Sequence, residues 1–161
     1  VAFDKALWGH VGFTVSNAAR ALIMGLTGSH FVKVPAGVAP ETRRYYQQLT
    51  RFSAAFAFIA DISMGTMGGA LKRKEKLSAR LGDILSLMYL ATATLKRYES
   101  EGRHSADAPL MHWAIWDCMF RIQQAFEGVI ANFPNKLFAL TSPSITQSAL
   151  KILCRQCSEF A

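Results

Sequence analysis

Residues 70–103 constrain this chain more than any other stretch, reading ALKRKEKLSARLGDILSLMYLATATLKRYESEGR. Leu81, Ile84, Met88, Ala91, Leu95 and Tyr98 recur at alternating spacings of three and four. That spacing sets them on one face of an α-helix, because a turn takes about 3.6 residues. Asp83, Ser86, Thr94 and Arg97 fall on the opposite side. Such a helix needs one apolar partner and one solvated side. It begins in a basic cluster and ends at Gly102. Glycine best tolerates the left-handed conformation of a C-terminal cap.

The flanking sequence supplies the partners. Phe3, Leu7, His10, Val11, Val15, Ala18, Leu22 and Leu26 have helical spacing, weakened by Gly9 and Gly12, with Gly28 as the stop. Residues 28–39 carry Pro35 and Gly37 and are expected to form a loop. Pro40 suits the first turn of a second helix, with Glu41 near the positive end of its dipole. Tyr45, Leu49, Phe52, Phe56, Ile59 and Ser63 follow one face of it, and Ala55, Phe58 and Ile62 lie alongside. From Phe52 to Leu71 this helix is apolar around most of its girth, which places it at the centre of a bundle. Asp107 as N-cap and Pro109 in the first turn open a fourth helix. Its inner seam is Ile115, Met119, Ile122, Phe126, Val129 and Phe133, and Pro134 ends it. The tail from Ser144 to Phe160 reads as a short, weakly amphipathic helix. Strand alternation and fixed-period repeats are lacking. The expected fold is all-α: an antiparallel bundle of four long helices with a short C-terminal helix. The expected division is a bundle over 1–135 and a separate tail over 136–161.

Hydrophobic residues make up 51% of the 161, enough for one core. The formal charge is +7, which attracts anionic partners without choosing among them. Much of the excess is local: Lys72, Arg73, Lys74, Lys76 and Arg80 stand against Glu75. These five are the candidates for contact with an anionic membrane or partner surface, set against an ordinary solvated turn. Nucleic acid is not expected, since nothing aromatic is interleaved to stack a base. Residues 52–71 nearly reach the length of a bilayer span. Asp61 lies at their midpoint, where a carboxylate costs about 2.5–3.5 kcal/mol. The next apolar run, 84–95, is too short to return. A buried bundle helix is therefore expected, with Asp61 hydrogen-bonded or paired with an arginine.

No catalytic constellation is visible in the spacing. The three cysteines are Cys118, Cys154 and Cys157; so small and odd a count suits a reducing compartment. Cys154 and Cys157 have CxxC spacing, yet no second ligand pair or βαβ setting accompanies them. His10, His30, His104 and His112 form no metal-binding motif. The run Gly65, Gly68, Gly69 follows a helix and lacks the GK[ST] of a phosphate loop. The chain starts at Val1 and enters a helical pattern at once, so a piece of a longer protein is expected.

Several segments carry a family resemblance: Phe3-Asp4-Lys5 with His10-Val11-Gly12, Tyr45-Tyr46-Gln47, the run LKRKEKLSARLGDILS at 71–86, and LKRYESEGR at 95–103. Pro109-Leu110 with His112-Trp113, and Asn132-Phe133-Pro134-Asn135, add to them. Together, over about residues 3–135, they resemble the C-terminal helical region of bacterial long-chain acyl-CoA dehydrogenases of fatty-acid β-oxidation. The resemblance implies an FAD-dependent oxidoreductase that converts fatty acyl-CoA to trans-2-enoyl-CoA. In such enzymes a glutamate takes the Cα proton while the flavin accepts the Cβ hydride. That glutamate does not map onto Glu41, Glu75, Glu99, Glu101 or Glu127, so no catalytic residue is assigned and the segment alone is expected to be inactive. The implied partners are an upstream catalytic domain, a fatty acyl-CoA, an electron-transfer acceptor and a second copy. The expected location is cytoplasmic, with peripheral contact at the inner membrane left open. After Asn135 the sequence departs from the family pattern.

Overall fold

The computed structural model describes residues 2–133, so the tail helix expected over Ser144 to Phe160 lies outside the described residues. The elements in order are α1 (Ala2–Leu26), α2 (Pro40–Met67), a 3-10 helix (Gly68–Arg73), α3 (Glu75–Ser100) and α4 (Ala108–Ala131). Among the described residues there is no strand. The basic start of the 70–103 stretch is thus not continuous with the helix that follows. Lys74 breaks the path at φ −96°, ψ 64°, and α3 begins at Glu75.

The core is built by α2, α3 and α4, with α3 and α4 in the most extensive contact. All six seam residues of α3 are buried, from Leu81 to Tyr98. On α4, Ile115, Met119, Ile122, Phe126 and Val129 are buried opposite them. Burying a side chain of this size contributes about 1.5–3 kcal/mol, so this pair supplies most of the hydrophobic stabilisation. Gly102 takes φ 94°, and the Arg103 N–H donates to the Tyr98 carbonyl at 3.1 Å. That six-to-one bond is the Schellman closure expected of a glycine in this position. Asp107 does occupy the N-cap of α4, but its side chain makes no capping hydrogen bond, because its backbone is already αR.

Two expectations are corrected. The central position of α2 holds only for its first half. Tyr45, Leu49, Phe52, Ala54 and Ala55 are buried, whereas residues 56–62 are half-buried and residues 64–66 are exposed. The segment Pro40–Arg73 is long and apolar enough to cross a membrane by length and composition, and little of its most apolar window is covered. Asp61 is half-buried and accepts a hydrogen bond from the Thr14 hydroxyl at 3.2 Å.

The larger correction concerns α1. Its seam exists, but Leu7, Val11, Val15, Leu22 and Leu26 are exposed instead of packed. The helix lies on α2 through its small and polar side, where Thr14 bonds Asp61 and where Asn17 and Gly25 are buried. No described element faces the apolar seam, so periodicity correctly marked an apolar face and wrongly implied a partner within these residues.

At the α3–α4 contact, Arg80 donates to the Gly128 carbonyl at 3.1 Å. A Cβ at Gly128 would stand 2.5 Å from Arg80 Nε and 2.9 Å from its Cδ. Gly128→Ala gains roughly 1 kcal/mol of helix propensity but displaces the guanidinium, at a cost of about 1–3 kcal/mol. Net destabilisation of about 1 kcal/mol is expected in urea unfolding. The same change made in an Arg80→Ala background is expected to stabilise, because the obstruction is gone.

Candidate functional site

The basic cluster is divided by the fold. Lys72 and Arg73 close the 3-10 helix, Lys74 is the break and Lys76 sits in the first turn of α3; all four are exposed. Arg80 is half-buried and turned onto Gly128 of α4. Four cations therefore share one solvated turn, with Glu75 among them, and the fifth holds two helices together. Four like charges on such a turn can engage phosphate or carboxylate groups, with no geometry that selects one.

Glu99, Glu101 and Asp117 are held in structural contacts. Glu99 accepts from the Ala39 N–H at 3.2 Å, from Arg103 Nε at 2.6 Å and from the Thr42 hydroxyl. Arg103 also donates to the Gly37 carbonyl. Burial alone would push the Glu99 carboxyl up, but the bonds from Thr42, Ala39 and Arg103, with the Arg103 charge, hold it below its ordinary value. This cluster ties the end of α3 to the loop before α2. Arg97–Glu101 and Arg121–Asp117 are exposed i,i+4 pairs at 3.0 Å, which contribute only tenths of a kcal/mol each, about 0.3–0.5.

A second polar cluster lies between α2 and α4. The Tyr45 hydroxyl is 2.7 Å from His112 Nδ1 and accepts from Trp116 Nε1 at 3.0 Å. The indole N–H can only donate, so the Tyr45 hydroxyl accepts from Trp116 and shares a second hydrogen bond with His112 Nδ1. Burial pushes the Tyr45 phenol up, partly offset by the Trp116 hydrogen bond. Burial and the neighbouring Asp117 likewise push the Cys118 thiol up, partly offset by Arg121, which makes it a poor nucleophile. Spacing alone could not find either cluster. His112 and Trp116 stand one turn apart on α4, but their partner Tyr45 is on another helix.

Among the described residues, no group of three or more His, Cys, Asp or Glu side chains could hold a metal ion. Cys154 and Cys157 lie outside the described residues. The described residues thus offer an anion-attracting turn, two structural polar clusters and an uncovered apolar seam.

No solved structure matches the chain. A family model described as acyl-CoA dehydrogenase, C-terminal, bacterial type, matches residues 1–151. The match runs beyond Asn135, into residues where departure from the family was expected. With nearly the whole sequence covered, the chain belongs to the C-terminal domain family of bacterial-type acyl-CoA dehydrogenases.

Proposed function

We propose that this chain is the helical C-terminal part of an FAD-dependent enzyme that oxidises fatty acyl-CoA to trans-2-enoyl-CoA, and that it braces the catalytic part through α1. The observation that carries this reading is the exposed seam Leu7, Val11, Val15, Leu22 and Leu26. An apolar stripe of that length on a water-facing helix is costly to leave bare and marks a contact surface. We also infer an antiparallel bundle. Thr14 meets Asp61 and Gly28 meets Arg44 between α1 and α2, Thr42 meets Glu99 between α2 and α3, and Arg80 meets Gly128 between α3 and α4. Each of these contacts supports opposite directions for the two neighbouring helices.

Acyl-CoA dehydrogenases use FAD, and the described residues do not fit that group. A flavin needs a walled slot for its rings and converging donors for its diphosphate. Here the cations of the basic turn stand in solvent, and buried Thr42 and exposed Arg103 are committed to Glu99. The chemistry and its acyl-CoA and electron-acceptor partners accordingly belong to the catalytic part. The test is to express the longer reading frame and the present chain side by side. The longer protein is expected to bind flavin and dehydrogenate fatty acyl-CoA, and the present chain to do neither. A longer protein with no flavin and no dehydrogenase activity would overturn the proposal.

A further inference from the structure

We propose that one end of the bundle docks on an anionic lipid bilayer, with Lys72, Arg73, Lys74 and Lys76 over the headgroups and Phe3, Trp8 and Met64 entering the interface. Two contacts fix how α1 runs along α2. Thr14 meets Asp61 and, further along both helices, Gly28 meets Arg44. Residues of α1 before Thr14 therefore lie beside residues of α2 after Asp61, at the end where the 3-10 helix carries the basic turn. Phe3 is 75% exposed, Trp8 71% and Met64 53%. Lys5 and the four turn cations are exposed at the same end, against Asp4 and Glu75.

Charge and apolar surface together select the occupant. Cations alone would suit an acidic protein equally well. A tryptophan, a phenylalanine and a methionine standing in water beside them suit the boundary between headgroups and acyl chains, where an indole places its ring in the apolar layer and its N–H at the wet edge. The long stems of the lysines can reach the headgroups while lying along that surface. The remainder of the α1 seam, from Val11 to Leu26, stays available to the catalytic part, so this inference goes beyond the dehydrogenase reading and does not depend on it.

The test is sedimentation of the 161-residue chain with phosphatidylcholine vesicles, with and without phosphatidylglycerol, at low and high salt. Binding is expected only with the anionic lipid and is expected to weaken with salt. Lys72→Glu combined with Arg73→Glu and Lys74→Glu should lower partitioning by about a hundredfold, and Trp8→Ser by about tenfold. Arginine at Lys72 and Lys74 should preserve binding, and circular dichroism should be unchanged in every variant, since all these positions are exposed. Brominated lipid should quench a fluorescence component that Trp8→Phe removes. Equal binding to neutral vesicles, indifference to salt, or quenching confined to Trp113 and Trp116 would overturn the proposal. So would charge-dependent capture by an acidic polypeptide that outcompetes vesicles and ignores Trp8→Ser, which would assign the turn to a protein partner.

Discussion

Phe126→Ala is expected to lower stability by about 3–5 kcal/mol, the largest effect of any single truncation proposed for this chain. Phe126 is 4% exposed, and its ring centroid lies 6.1 Å from that of Phe52 at an interplanar angle of 31°. It therefore joins α4 to α2, while its seam neighbours Ile122 and Val129 are fully buried in the same core. Removing the ring loses its transfer energy and leaves a cavity between three helices that are held by their other contacts, so the void cannot close. Urea unfolding should show a lower midpoint with an unchanged slope. Phe120→Ala on the same helix is the control. Phe120 is exposed, and its truncation should change stability by no more than about 0.5 kcal/mol. Phe56→Ala should fall between the two, since Phe56 is half-buried at the edge of the core. Equal losses at Phe120 and Phe126 would reject the facing of α4.

Glu99→Ala is expected to cost about 2–3 kcal/mol, because it removes the acceptor shared by the Ala39 N–H, the Thr42 hydroxyl and Arg103. Its side chain is 13% exposed, so water replaces the carboxylate poorly. The effect also has a sign in pH. The folded-state value of Glu99 is held below that of the unfolded chain, so the unfolded state takes up the proton first as pH falls. Its contribution is therefore complete above the ordinary carboxylate range and is lost as pH drops through that range to the lowered folded value. Thermal melts across the acid range should show Glu99→Gln with a flatter decline than the parent. Parallel declines would remove Glu99 from the account of acid sensitivity.

The seams of α3 and α4 were legible in sequence because both partners are within the chain. Leu81 to Tyr98 and Ile115 to Val129 each repeat with helical period, and each buries the other. The α1 seam repeats just as well, yet periodicity states that a helix has an apolar face and not what covers it. Polar partners leave still less trace. Thr42 and Glu99 are 57 residues apart, and nothing in either neighbourhood announces the other. Arg80 reads as one more cation in a run of cations. Its separate task depends on Gly128 having no side chain, a fact located on a different helix. The break at Lys74 follows two glycines, Gly68 and Gly69, which lower the cost of leaving the α-helix. They were visible as a weakness in the helix without fixing where the next one begins.

The most direct measurement of the central claim is site-specific cross-linking in the longer protein. A benzophenone side chain would replace Leu22, which is exposed near the C-terminal end of the α1 seam and removed from the basic turn. If α1 braces the catalytic part, irradiation should join Leu22's position to a peptide from the upstream flavin-binding region of the same chain. Cross-links confined to lipid, to a second copy or to residues 134–161, or none at all, would contradict it.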